Sequence, residues 1–410
     1  MLIAMGQVVR GGEQFETNIV ADHRGQIIRR GVDSGEVDAF GRQRVSQPFT
    51  LFDSTLRYDK NAEQWNEAIG GGASSTHLIN ESSVALTVTA SGDSVLRRTK
   101  KRFPYQPGKS LQIMQSFKGA TLASGITQEV GYFDDNNGII LRASGTTLQF
   151  VQRSYTSGSV VETVVNQDEW NIDSASWLNF DKTNIFTTDL EWLGVGRVRV
   201  GFVREGEYYY CHEFHNANVN DSVYMTSAVL PLSYRIEANT AASGTMKHIC
   251  SSVMSEAGYE PGGPIYTISP SIASIPNTSG ERIVAAIRMA SGRTDNIIIP
   301  TKIDLVTESF NDTIRWSLRR NPTTSGVTWA AADNGRGNVE TASAGTIVSG
   351  GTIEDSGLFS SAGSVEIDVV SALSLSLGTN GDGNSEELFL TIASSGNTRS
   401  TGLLGWRELL

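Results

Sequence analysis

Cysteine is scarce in this chain: Cys211 and Cys250 are the only two in 410 residues. One pair at most cannot staple a chain of this size, so a buried core must carry the fold. Both are expected as buried free thiols in a protein folded in a reducing cytoplasm. Charge is thin as well, at 19% of residues with a net of −11. That balance argues against bulk attraction to nucleic acid or to an anionic membrane. Nowhere do about 18 apolar residues run together, so no membrane insertion is expected. The opening MLIAMGQVVRGG lacks the basic start and the apolar length of a secretion signal. No long stretch repeats apolar residues at the three-and-four spacing of a helix. Walker loops, nucleophile elbows and kinase signatures are also missing, and no cofactor is expected.

Glycine, by contrast, is abundant at 42 residues, and period-two segments recur along the chain. Val84, Leu86 and Val88 alternate with polar residues, as do Leu111 and Ile113 in SLQIMQSFKG. In EVGYFDDNNGIILRASGTTLQFVQRS, Asn137-Gly138 is expected to make a type I′ hairpin turn, and Ser144-Gly145 a second turn. Glu205-Gly206 reads as another tight turn, and Trp406 as the residue that packs the last strand. Strands joined by turns and not by helices predict an all-β chain. It should comprise two antiparallel β-sandwich (jelly-roll-like) domains preceded by an extended N-terminal arm.

Composition sets the boundaries. Residues 1–48 mix charges of both signs with few large apolar groups and form the arm. Residues 49–260 form the first sandwich. A Pro/Gly/Ser-rich stretch then leads to a second β domain over 265–410, with turns at Asp333-Asn334-Gly335 and Gly381-Asp382-Gly383 and a strand in LSLSLG. The arm cannot bury much surface alone. Phe15, Ile19, Val20, Ile27, Ile28 and Phe40 are its apolar anchors, expected to lie against neighbouring chains of an assembly or back on the chain's own sandwich.

Four places carry chemistry-bearing residues. In TDLEWLGVGRVRVGF, Asp189 and Glu191 are expected on one strand face. In CHEFH, Cys211, Glu213 and His215 would share a face with His212 turned away, an awkward arrangement for tetrahedral zinc. Asp134, Asp135, Asn136 and Asn137 make an oxygen-rich loop, suited to calcium or simply to a turn. Arg97, Arg98, Lys100, Lys101 and Arg102 form a dense basic run, read as a solvated edge strand. No catalytic, metal or cofactor site is expected among them.

The hairpins of the middle domain resemble the concanavalin-like jelly roll, a fold shared with laminarinase-type glycosidases that carry Glu-x-Asp-x-Glu on one strand. Registering the last two acids on Asp189 and Glu191 leaves Thr187 where the nucleophile belongs, so the chain is expected to be no enzyme. Residues 45–260 also resemble a family of virion structural proteins of tailed marine and cyanobacterial phages. The resemblance rests on RVSQPFTLFDSTLRYDKN, KKRFPYQPGKSLQI, VGYFDDNNGIILRASGTT and TDLEWLGVGRVRVGFV. It implies a non-enzymatic subunit assembled in the host cytoplasm and resident in the virion as a capsid decoration, neck, tail or fibre part. Its implied partners are other virion proteins and copies of itself, with a trimer favoured. The alternative is a host-surface glycan-binding module, for which Tyr208, Tyr209 and Tyr210 are candidate contacts.

Overall fold

A computed structural model of the protein describes residues 3–10, 13–21, 27–28, 38–40, 47–260, 262–270, 277–293, 296–307, 313–332, 338–359, 363–368, 376–378 and 384–409. The chain is all-β. Among the described residues two complete helical pieces occur, the single 3₁₀ turns Ile79–Glu81 and Gln167–Glu169, and no helix is long and apolar enough to cross a membrane.

Two antiparallel sheets built from Phe49 to Ser255 face each other. The front sheet runs in the order Glu207–Phe214, Val198–Arg204, Thr183–Leu190, Leu111–Lys118, Gly244–Ser255, Ser83–Val88 and Ser74–Leu78, with Phe49–Thr55 also paired to Gly244–Ser255. The back sheet runs Val161–Asn166, Thr147–Ser154, Gly138–Ser144, Ile126–Phe133, Leu232–Ala238, Ser94–Thr99 and Trp65–Gly70. Alternation sends every second side chain inward. Phe117, Phe186 and Phe202 of the front sheet meet Phe150, Tyr132 and Tyr234 of the back sheet in one core. Each such ring contributes about 1.5–3 kcal/mol by leaving water.

The back sheet is buried on its outer side too. Phe133, Ile140 and Val151 form a second small core there. Arg153 lies over the Phe133 ring at 5.5 Å, and charged side chains continue the roof. The buried Glu129 accepts from Arg142 at 2.7 Å, while Glu162 binds Arg142 and Arg153 at 2.7 and 2.9 Å. This roof explains why the basic run is no solvated edge. Ser94–Thr99 is flanked on both sides by paired strands. Arg97 turns inward, and Arg98 and Arg102 bond to Asp135 and Asp134 at 2.9 and 2.8 Å.

The Asn137-Gly138 turn departs from expectation. Neither residue has positive φ. The loop is instead the four residues 134–137, closed by Asp134 Oδ1 accepting from the backbone N–H of Asn136 and of Asn137, each at 2.8 Å. Gly138 is needed for a different reason: a Cβ there would stand 2.1 Å from the Phe133 Cβ. Glu205 and Gly206, at φ 55° and 84°, do form the predicted two-residue turn.

From Ile265 onward the strands belong to a separate system organised by one long strand, Glu387–Leu409. Its first half pairs with Asn277–Met289 and Ile314–Arg320, its second with Ile297–Thr307 and Ile265–Ile268. Leu388, Leu390, Ile392, Leu404 and Trp406, from both halves, enter one core. Trp406 is buried as expected and stacks on Tyr266 at 5.9 Å. The expected turns at 333–335 and 381–383, and the first half of LSLSLG (373–375), lie outside the described residues.

In the arm, Ile3–Arg10, Glu13–Ala21 and Ile27–Ile28 pair into a three-stranded antiparallel sheet, more regular than an extended arm needs. The side chains of Phe15, Ile19, Val20, Ile27 and Ile28 lie outside the described residues. Asp38–Phe40 returns to the chain's own sandwich. The Ala39 N–H donates to Ser110 Oγ at 3.4 Å, and Arg197 Nε donates to the Ala39 carbonyl.

Candidate functional site

Thr183–Leu190 is buried on both faces from Phe186 to Leu190, so it has no wet side at that end. Thr188 points with Phe186 and Leu190 toward the core, while Thr187 and Asp189 lie on the outer face. Asp189 is completely buried. Ser110 Oγ and Tyr210 OH donate to it at 2.7 and 2.9 Å, and Arg199, equally buried, forms an ion pair with it. The Arg199 guanidinium sits 4.3 Å over the Tyr210 ring. Glu191 does not join Asp189. The strand ends at Leu190, and Glu191 opens a tight loop in which its N–H bonds to the Arg197 carbonyl at 3.1 Å.

CHEFH is reorganised by a bulge that period-two reading does not anticipate. Pairing slips between Val200 and Gly201, opposite Cys211, which is left over. Cys211 then joins the core, and His212 packs against Phe214 at 4.6 Å and Phe150 at 6.4 Å. Burial pushes the Cys211 thiol up. Burial, helped by the nearby His215, pushes the His212 imidazole down to about 4. Glu213 turns to Arg197 at 3.3 Å. No cluster of three or more His, Cys, Asp or Glu that could hold a metal occurs among the described residues. The Asp134 loop spends its oxygens on its own backbone and on Arg102. Cys250 is half-buried, against expectation, because it sits on the outer face of the front sheet.

The open concavity lies at the other end of that outer face. A cleft of 810 Å³ is lined by Trp177, Asn179, Lys182, Asn184, Ile185 and Arg204, with Ser116, Val203 and Ile249 beneath. Trp177 is half-buried. Its indole is fixed edge-on by Phe202 at 6.1 Å and Tyr209 at 5.4 Å, and the Arg204 guanidinium lies 5.3 Å from its ring. The Asn184 amide ties down the rim by donating to the Asn179 and Lys182 carbonyls at 3.0 and 2.9 Å. An indole wall with amide, hydroxyl and guanidinium groups at its margin offers an apolar face together with oriented hydrogen bonds. Of the three tyrosines, Tyr210 is buried on Asp189, while Tyr208 and Tyr209 are half-buried. Reading the sequence by periodicity passed over Trp177. The available signal was a tryptophan within SASWLNFDKTN, a polar stretch with no strand period.

No family model matches the chain, and no curated protein matches it. Among solved structures, a Bacillus licheniformis β-glucanase is similar over 51% of this chain and 98% of its own, at 12% identity and a TM-score of 0.32. A carbohydrate esterase from the Shiga toxin-encoding bacteriophage phi24B matches 51% and 99%, at 12% identity and 0.30. The CBM2 module of the evolved Dit of Lactobacillus casei BL23 phage J-1 matches 53% and 100%, at 10% and 0.36. The expectation of a chain with no enzymatic activity is corrected here, since the similar structures include a β-glucanase and an esterase. Thr187 excludes only a double displacement that needs a carboxylate at that one position.

Proposed function

We propose that the sandwich is a glycan-binding module whose site is the Trp177 cleft. The observation that carries this reading is the indole held edge-on by Phe202 and Tyr209 in an open cleft with a polar rim. A saccharide has the matching chemistry: C–H faces for the indole, and hydroxyls for Asn179, Asn184 and Arg204. The resemblance of residues 45–260 to tailed-phage virion proteins supports a particle as the setting and a bacterial surface glycan as the ligand. The test is a glycan array probed with purified protein and with Trp177→Ala. Binding that falls at least about tenfold in the variant supports the reading, as for a hot-spot aromatic. Equal binding by both proteins refutes the cleft.

A further inference from the structure

Along most of its length the outer face of the front sheet meets solvent: Ile185, Thr183 and Thr55 are exposed there, and Met114, Ser116 and Ser252 half-exposed. At one end it does not. Asp189, Arg199, Thr187, Tyr210 and Gln112 are each at most 5% exposed, although they are polar and stand on a face that sheets ordinarily leave wet. Register holds them in one patch. Asp189 lies opposite both Gln112 and Arg199, and Thr187 lies two residues along, opposite Gly201. Among the polar atoms of the patch, Gln112 Nε2 and Thr187 Oγ1 have no hydrogen-bond partner, and neither do Nε and Nη1 of the ion-paired Arg199. A buried polar group left unsatisfied works against the fold, and native structures tolerate it where something else uses it.

The patch is sealed by the chain's own arm. Ala39, with no exposed surface, donates its N–H to Ser110 Oγ, which in turn donates to Asp189. Arg197 Nε holds the Ala39 carbonyl from the other side. Through these two bonds Ala39 lies against Ser110 and Arg197 beside the patch, while Gln112 Nε2 and Thr187 Oγ1 stay without a hydrogen-bond partner.

We propose that this patch is a second saccharide subsite, for a neutral pyranose ring, and that Asp38–Phe40 is a displaceable plug over it in the free chain. The inference rests on the glycan-binding reading above and adds a site and a control to it. A sugar hydroxyl both donates and accepts, so one ring supplies an acceptor to Gln112 Nε2 and a partner to Thr187 Oγ1. Asp189 is balanced by Arg199 and Glu213 by Arg197, so the patch offers no net charge to draw in an ionised ring. Occupation competes with the plug, so apparent affinity falls by the fraction of molecules in which the plug is open.

The experiment uses the full chain on an array of neutral and acidic oligosaccharides. Two variants release the plug by independent routes: Ala39→Arg, which has no room under the seal, and Arg197→Gln, which removes the donor to the Ala39 carbonyl. Each is checked by its melting curve, and by new chymotrypsin cleavage after the half-buried Phe40 as a sign of release. Released protein should bind neutral glycans roughly tenfold more tightly. Adding Gln112→Ala or Thr187→Val should abolish that gain. The proposal is overturned if released, folded variants gain nothing, if they gain on acidic glycans alone, or if the gain survives both secondary substitutions. Wild-type binding through Trp177 with no gain on release would sink the plug and leave the cleft standing. No binding by any form would sink both.

Discussion

Replacing Glu67 by glutamine should destabilise the sandwich far more than a partly exposed carboxylate ordinarily would. Arg97 reaches from the back sheet into the space between the sheets, with 1% of its surface exposed. Its Nη1 binds Glu67, its Nη2 the Lys60 carbonyl, and its Nε donates to His248 Nδ1 at 3.1 Å, while the guanidinium lies 5.1 Å from the Trp65 ring. Glu67→Gln keeps the shape and removes the countercharge, leaving a buried cation poorly compensated. Breaking such a pair costs about 3–5 kcal/mol, and the partial exposure of Glu67 points to the lower end, about 3. At roughly 2–4 °C per kcal/mol for a unit of this size, the melting temperature should fall by roughly 6–12 °C. Arg97→Met added to Glu67→Gln should recover part of the loss. Recovery is incomplete because the Lys60 carbonyl and His248 Nδ1 then lose their donor. Differential scanning calorimetry of the four proteins gives the cycle. A cost below about 1 kcal/mol for Glu67→Gln, or strict additivity of the two changes, would refute the reasoning. The pH response has a fixed sign. Burial alone raises the Glu67 carboxyl, but the Ser75 hydrogen bond and the charges of Arg97 and Lys60 outweigh it and leave it below its ordinary range. The pair's contribution is therefore present above the ordinary carboxylate range and lost as pH falls through the lowered value.

Other consequences are independent of that pair. His212 titrates at about 4 in the fold against an ordinary 6.5, so stability should fall as pH drops from about 6.5 to 4, by at most about 3 kcal/mol, and His212→Phe should flatten that limb in urea titrations at stepped pH. Gly138→Ala forces a Cβ to within 2.1 Å of the Phe133 Cβ and should cost about 1–3 kcal/mol by chemical denaturation. Native protein should label at one thiol, Cys250, with Cys211 reacting only after unfolding, as counted by mass spectrometry with a maleimide.

Sequence periodicity carried the fold class well, because a sheet buried on one face writes its orientation into alternate residues. Val84, Leu86 and Val88 all lie in the core as alternation predicts. It failed where the period breaks or where both faces are buried. The bulge at Cys211 moved that residue into the core and away from Glu213 and His215, which still share a face with His212 turned from them. The double burial of Phe186 to Leu190 placed Asp189 in a buried ion pair with Arg199 and parted it from Glu191, which alternation had put on the same face. Asn137-Gly138 misled for a local reason, since Asp134 caps a longer loop and the glycine serves close packing. The cleft was illegible because Trp177 comes from an irregular segment, and its neighbours Arg204 and Ile249 lie about 27 and 72 residues away in sequence.

The account is tested most directly by a crystal structure of the chain soaked with the oligosaccharide that binds best on the array. It predicts a sugar ring against the Trp177 indole, with hydroxyls within hydrogen-bonding distance of Asn179, Asn184 or Arg204. A ring ordered elsewhere on the sandwich, with the cleft unoccupied at saturating ligand, would contradict it.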